Sequence, residues 1–204
     1  GGGGGVFGGG IVVISQSRIL HNSVRIYTGG ASGIRVGEGS LYLSNSVVAD
    51  NGPEDAIHLN GTAAITNTTI ANNCIGRDRP GINFNPQTGL DLSVTNSILY
   101  GNGGGPIHVP NPDDTHVTYS LLQGGWQGTG NLDMDPLFVD GSNGNYQLQA
   151  GSPALDVGTN VGAPLFDLLG RPRPRDGNLD GSAVTDMGAY EWQPYGIYLP
   201  LITR

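Results

Sequence analysis

Apolar and polar residues alternate in a short stretch that recurs along the chain. Five copies of this stretch begin at steps of 29, 22, 29 and 23 residues, at Ile14, Leu43, Ile65, Val94 and Val117. Repeats of this length, rich in Gly and Asn and poor in helix formers, predict a solenoid. The sixth position of each copy is apolar as well, and is occupied by Ile19, Val48, Ile70, Leu99 and Leu122.

Both apolar columns are expected to face the interior, which requires a bend between them. Positions five apart fall on opposite faces of a straight strand, because side chains alternate with a period of two. The third position lies between the columns and is occupied by Gln16, Asn45, Asn67, Asn96 and Tyr119. Asn tolerates the left-handed conformation that a sharp bend needs. Stacked Asn45, Asn67 and Asn96 are predicted to form a hydrogen-bonded amide ladder.

A further strand precedes each copy and carries its own apolar column. Ile34, Ile57, Ile82 and Ile107 are predicted to stack inside, with Val36, Leu59, Phe84 and Val109 as their companions. Each rung then has at least three short strands closing around an apolar interior. The sequence therefore predicts an all-β chain folded as a parallel β-helix (a β-solenoid), and the usual twist of strands favours the right-handed form.

The repeat divides the chain into three segments. The rungs are expected in residues 1–125, a C-terminal rung and irregular cap module in 126–194, and a strand-like tail in 195–204. The first ten residues are glycines interrupted only by Val6 and Phe7, so the first rung is expected to be open. A processed terminus and a trimmed end both fit the start at Gly1.

Four motifs in the C-terminal module resemble a known family. They are residues 135–138 (Asp-Pro-Leu-Phe), 151–158 (Gly-Ser-Pro-Ala-Leu-Asp-Val-Gly), 167–173 (Asp-Leu-Leu-Gly-Arg-Pro-Arg) and 186–191 (Asp-Met-Gly-Ala-Tyr-Glu). In this order they resemble the choice-of-anchor Q modules of secreted bacterial β-helix proteins, whose repeats look like those of polymorphic outer-membrane proteins. The resemblance implies a right-handed parallel β-helix, bacterial export and an extracellular or cell-surface role. It implies no catalytic residues.

Charged residues inside these motifs suggest how the irregular module is held. Asp156, Asp167 and Asp186 are expected to form an ion-pair network with Arg171 and Arg173. Structural locking is favoured over a binding site for this group.

The charge balance limits the choice of partners. The formal net charge is −8, with no lysine, which argues against nucleic acid or an anionic membrane as a partner. No stretch approaches the ~18 consecutive apolar residues of a membrane helix. Cys74 is the only cysteine, so no disulfide within the chain is expected, and a buried inert thiol is favoured.

One loop has the spacing of a calcium site. Asp176, Asn178 and Asp180 place oxygens at positions 1, 3 and 5, with Gly181 at position 6. Position 12 is Met187 rather than a bidentate Glu. An ordinary Asp/Asn turn without metal is the alternative, and no other cofactor is expected.

An acidic group is the main argument for an enzyme. Asp133, Asp135 and Asp140 lie close in sequence, and Asp113 and Asp114 come one rung earlier. Carboxylate clusters serve acid–base chemistry in polysaccharide lyases and hydrolases. No arginine lies near them in the sequence, and they also belong to the family-like turns, so catalysis is the less favoured interpretation.

A polar column is expected on the outer face of the first strands. It consists of Arg35, His58, Asn83 and His108. Such a stripe would bind a glycan or a metal, or simply face solvent. The two histidines are separated by one rung, roughly 10 Å, which is too far for one ion.

Two function classes remain. The favoured one is a non-catalytic structural protein outside the cell, either a surface stalk or a self-assembling filament subunit, which contacts copies of itself or other cell-surface components. Self-assembly would use Val6 and Phe7 of the open rung and Ile197, Leu199 and Leu201 of the tail. The tail has two further options, docking on its own subunit or acting as a sorting tag. The alternative class is a β-helix that binds or degrades carbohydrate.

Overall fold

The computed structural model describes residues 5–24, 30–86 and 89–193. This part of the chain is all β, with fifteen strands, two short 3₁₀ turns and no α-helix. The strands are β1 (Val6–Ser15), β2 (Arg18–Leu20), β3 (Ala31–Ser44), β4 (Val47–Ala49), β5 (Asp55–Leu59), β6 (Thr62–Thr66), β7 (Thr69–Ala71), β8 (Ile82–Phe84), β9 (Leu92–Thr95), β10 (Ile98–Tyr100), β11 (Ile107–His108), β12 (Thr115–Thr118), β13 (Leu121–Leu122), β14 (Phe138–Asp140) and β15 (Asn145–Leu148).

The strands up to β13 stack in parallel as a β-solenoid of about four turns, as the repeat predicts. One sheet has the order β11-β8-β5-β3-β6-β9-β12, with β1 paired to β3. The long strand β3 belongs to two sides of the solenoid, because its first half pairs with β5 and its second half with β6. The other parallel sheet has the order β13-β10-β7-β4-β2.

The predicted apolar columns are confirmed by the strand register. Ile34 aligns with Ile57, Ile57 with Ile82, and Ile82 with Ile107. The columns that start at Ile14 and at Ile19 also align from rung to rung. Side chains from all three columns form one buried cluster. Burying each large side chain contributes on the order of 1.5–3 kcal/mol, so we expect the columns to supply most of the stability of the solenoid.

The predicted bends are confirmed as well. The five residues at the bend have positive φ angles between 45° and 50°: Gln16, Asn45, Asn67, Asn96 and Tyr119. Their backbone amides still donate to the next rung, as from Asn45 to Thr66 and from Asn67 to Thr95. The chain therefore turns a corner without losing the hydrogen bonds between rungs.

The C-terminal module lies along the outer face of the five-stranded sheet. Outward side chains of this sheet, such as Val47, Ala71 and Ile98, are buried in two clusters that also contain Tyr146 and Met187. Hydrogen bonds join the module to three successive corners, since Asn45, Asn67 and Asn96 donate to the carbonyls of Phe166, Asp186 and Thr159. The module is thus a lateral cover that reaches several rungs.

The last rung is closed by the start of the same module. Leu132 forms a parallel bridge with Leu121, and Trp126 packs against the solenoid core from the end. At the opposite end, β1 pairs with β3 only, among the residues that the structure describes. No helix in the described ranges is long and apolar enough to cross a membrane.

Candidate functional site

The predicted outer stripe exists, and a buried carboxylate beside it contacts two of its residues. Arg35, His58, Asn83 and His108 align on neighbouring strands. Two of them contact the same oxygen, because Asp55 Oδ2 lies 3.0 Å from His58 Nδ1 and accepts a 2.8 Å hydrogen bond from Asn83. His108 is exposed. The stripe is therefore partly engaged in contacts within the protein.

Two adjacent buried acids, Glu54 and Asp55, lie at the start of β5 beside this stripe. Glu54 Oε2 is 3.3 Å from the guanidinium of Arg79, and Asp55 Oδ1 is 3.9 Å from it. The thiol of Cys74 donates to the Glu54 carbonyl oxygen at 2.7 Å. Burial is the main cause that raises the pKa of Cys74, to about 12. The thiol is therefore protonated at neutral pH and is a weak nucleophile, as the sequence suggested.

The acids that suggested an enzyme accept hydrogen bonds from the backbone and from nearby side chains. Asp133 accepts from the amide of Gly124, and Asp135 accepts from the amide of Leu137. Asp140 accepts from side chains two and three residues ahead of it, which lowers its pKa. Asp135 and Asp140 thus each stabilise a turn beside them, whereas Asp133 binds the backbone nine residues earlier.

The acids of the preceding rung behave in the same way. Asp114 accepts a 3.3 Å hydrogen bond from the side chain of Asn111, and Asp113 donates its amide to that side chain. These contacts cap a 3₁₀ turn at Pro112–Asp114.

The predicted calcium loop is a series of side-chain-to-backbone turns. Both carboxylate oxygens of Asp176 accept backbone amides, from Asp180 and Gly181. Asn178 also accepts from the Asp180 amide, and Asp180 accepts from the Ser182 amide. Across the described ranges, no three His, Cys, Asp or Glu side chains are placed to hold a metal ion. Calcium binding through Asp176, Asn178 and Asp180 stays a prediction.

The predicted asparagine ladder forms at one step. Asn96 donates to Asn67 Oδ1 at 3.3 Å. Asn45 and Asn67 donate to backbone carbonyls of the C-terminal module instead of continuing the ladder, and Asn96 donates to such a carbonyl as well as to Asn67. Their amides therefore attach the module to the solenoid.

A second asparagine ladder, which we did not predict from the sequence, lies just beyond the C-terminal ends of β2, β4, β7 and β10. Asn22 donates to Asn51, Asn51 to Asn73 and Asn73 to Asn102, over 2.9–3.0 Å. The signal was present, because Asn closes four of the five repeat copies. The residue before each of these asparagines has a positive φ, which marks a second corner. The ladder is interior and stabilises the fold.

The core of the C-terminal module is a buried charge cluster. Arg173 Nη1 lies 3.2 Å from Glu191 Oε1, and both side chains are fully buried. Asp167 accepts the amides of Leu169, Arg171 and Glu191, while Asp186 accepts those of Asp156 and Trp192. The sequence predicted a locking network, but it missed Glu191 as the direct partner of Arg173.

The cluster contains more carboxylates than its one buried guanidinium neutralises. Burial and the neighbouring Asp186 raise the pKa of Glu191 to about 9. Burial also raises the pKa of Asp186, to about 6. Because two carboxylates this close do not both ionise easily, the pair is expected to hold a proton at neutral pH.

A cavity of about 470 Å³ opens beside this cluster. It lies between the hairpin of β14 and β15 and the residues around Arg171 and Trp192. Its polar lining includes Asn145, Gln147, Gln149, Arg171 and Gln193. Side chains with neutral donors and acceptors, one cation and one aromatic ring make it a candidate ligand site.

The residues assigned to self-assembly are only partly described. Val6 packs against the solenoid core, and Phe7 is 65% exposed on the outer face. Ile197, Leu199 and Leu201 lie outside the described residues. Their proposed role in assembly stays a prediction.

Comparison with protein families, with curated proteins and with solved structures found no match. The solenoid is the part of the proposed resemblance that the structure shows.

Proposed function

We propose that this chain is a non-catalytic structural protein of the bacterial cell exterior, whose copies associate head to tail through the edge of β1. The observation that carries the proposal is that side chains of β1 are more exposed than their partners on β3. The resemblance to choice-of-anchor Q modules supports the cell-surface location.

The inner side of β1 is less well covered than that of the next rung. Val12 and Ile14 are half-buried, whereas their partners Leu41 and Leu43 are at most 1% exposed. One further rung on β1 would bury the rest of these side chains. Burial of apolar area contributes roughly 25 cal/mol per Å².

The backbone and outer face of β1 also favour association. No described strand pairs with its second edge, and an unpaired edge is a template for another strand. Phe7, Ile11 and Val13 project outward from the same strand and are 65%, 76% and 70% exposed. An incoming strand would therefore gain backbone hydrogen bonds and apolar contacts together.

The tail is the proposed source of the incoming strand. Ile197, Leu199 and Leu201 alternate with other residues, as expected for a strand with one apolar face. A head-to-tail contact that does not close on itself produces a filament.

Electron microscopy and light scattering on the full chain test this proposal. Fibres or concentration-dependent oligomers are expected for the wild type, and Leu199→Asp or Val12→Asp should abolish them. Val161→Asp is the matched control, because Val161 is 84% exposed and lies on the C-terminal module. A monodisperse wild-type monomer, or fibres that survive both edge substitutions, would contradict the proposal.

The non-catalytic part is tested separately. Purified protein is expected to release no reducing or unsaturated ends from pectin-like, alginate-like or other acidic polysaccharides. Cleavage that Asp133→Asn or Asp135→Asn abolishes would establish the alternative, a polysaccharide-degrading β-helix.

A further inference from the structure

The cavity beside the buried charge cluster presents three amide side chains on one face. Asn145, Gln147 and Gln149 alternate along β15 and its end, while Tyr146 and Leu148 between them are buried. Alternation places the three amides side by side at a spacing of about 6.8 Å. Amides offer both donors and acceptors, which is the pairing that a polyhydroxylated ligand needs.

The first amides hold each other in fixed positions. Asn145 Oδ1 accepts the backbone amide and the side-chain amide of Gln147, both at 3.3 Å. Gln149 Nε2 donates to the Phe138 carbonyl at 2.7 Å, which leaves its Oε1 as an acceptor. The lining is thus organised before any ligand arrives, and this lowers the entropic cost of binding.

Arg171 places a fixed cation among these amides. Its backbone amide donates to Asp167 at 2.8 Å, and its guanidinium donates to the Glu191 carbonyl at 3.0 Å and to Gln147 Oε1 at 3.1 Å. Both guanidinium contacts are to neutral oxygens. In residues 5–24, 30–86 and 89–193, no carboxylate lies within 4.0 Å of this guanidinium.

The neighbouring acids are already engaged. Asp167 accepts three backbone amides, and the Glu191 side chain is paired with Arg173. Arg171 is half-buried, so its charge is partly removed from water without an ion-pair partner in the described residues. A ligand carboxylate would supply that partner through charge-assisted hydrogen bonds.

Trp192 completes the site with an apolar surface. It lines the cavity, is half-buried and packs on the hydrophobic cluster that contains Met187. An indole held in this way offers a flat surface to the C–H face of a sugar ring.

From these contacts we propose that the cavity binds a sugar that carries a carboxylate, such as a uronic acid residue. The carboxylate lies on Arg171, the hydroxyls lie on Asn145 and Gln149, and the ring lies on Trp192. The proposal concerns binding only and does not depend on filament assembly.

Calorimetric titration of the full chain with a galacturonic acid trimer tests the site, and the fully methyl-esterified trimer is the ligand control. The acid is expected to bind at least ~10-fold more tightly than the ester, since hydrogen bonds to charged groups are the stronger ones. Arg171→Gln should remove this preference and leave ester binding unchanged. Arg77→Gln removes an exposed arginine outside the cavity and should change nothing.

Two further variants keep the test decisive if Arg171→Gln fails to fold. Gln149→Ala and Trp192→Phe should each weaken binding of the acid by about 3- to 10-fold. Equal affinity for acid and ester, or no saturable binding of either by the wild type, would overturn the proposal. A carboxylated peptide that binds as tightly as the trimer would overturn the sugar part of it.

Discussion

The solenoid and the C-terminal module are stabilised by different kinds of contact. The rungs repeat one solution, in which apolar columns lie inside, corners have positive φ and an amide ladder crosses the interior. The module has almost no regular structure beyond the β14–β15 hairpin. Its carboxylates accept backbone amides, and its centre is the Arg173–Glu191 pair. A repeating surface stabilises itself by stacking, whereas a single irregular layer needs specific charged contacts.

This difference predicts that a charge deletion in the module has the largest effect. Arg173→Met removes the guanidinium and leaves Glu191 and Asp186 buried without it. The free energy of unfolding should fall by about 3–5 kcal/mol, as for other buried pairs that lose one partner. Urea denaturation followed by tryptophan fluorescence measures this change. Arg77→Met, at an exposed position, is the control, and an equal loss in both variants would contradict a special role for the cluster.

A substitution that creates a cavity in the central rung is the corresponding change in the solenoid. Ile57 is 0% exposed and aligns with isoleucines on both neighbouring strands. Ile57→Ala should lower the free energy of unfolding by about 3 kcal/mol through lost burial and the cavity left behind. Far-UV circular dichroism during urea denaturation reports it. A loss below about 1 kcal/mol would mean that the column contributes less than its burial indicates.

The interior amide ladder is expected to have an intermediate effect. Asn73 is fully buried and bonds to Asn51 and Asn102. Asn73→Ala removes the acceptor of the buried Asn51 backbone amide and the donor to the Val48 carbonyl, at a cost of about 2 kcal/mol. Thermal unfolding compares it with Asn85→Ala, which changes an exposed asparagine of the solenoid. Similar melting temperatures for the two variants would rule out a structural ladder.

The buried carboxylates should make stability depend on pH. The pKa of Glu191 is raised to about 9 in the folded chain, from an ordinary 4.5, so the folded state binds more protons between these values. The contribution of Glu191 to the free energy of unfolding is therefore fully present below pH 4.5 and is lost as the pH rises through 9. Glu191→Gln should flatten this decline in melting temperature from about pH 5 to pH 9. An unchanged slope would show that Glu191 is not the group whose shifted pKa produces the decline.

The calcium loop carries the smallest expected effect. If Asp176, Asn178 and Asp180 bind calcium, free calcium at tenfold over the Kd stabilises the chain by about 1.4 kcal/mol. A chelator would then lower the melting temperature, and Asp180→Ala would remove that sensitivity. If a chelator does not change the melting temperature, the loop is an ordinary turn, as its amide contacts indicate.

Much of the rung structure could be predicted because it repeats. One Asn or Ile is weak evidence by itself, but Ile34, Ile57, Ile82 and Ile107 together define a register. The strands of the five-stranded sheet also carried a signal that our prediction did not use. Val47-Val48-Ala49 and Thr69-Ile70-Ala71 have no outward charged residue, which indicates burial on both faces. A cover on that sheet could have been predicted from this pattern.

The sequence by itself determined the local and periodic features of this protein. It determined the strands, the corners and the columns, because each depends on neighbours at a fixed spacing. Only the tertiary structure decided where the C-terminal module lies, since contacts such as Arg18–Tyr190 and Asn67–Asp186 join residues more than a hundred positions apart. It also decided that Glu191 pairs with Arg173 and that Arg171 faces a cavity. Each of these pairings occurs once in the chain, so the repeat does not predict them.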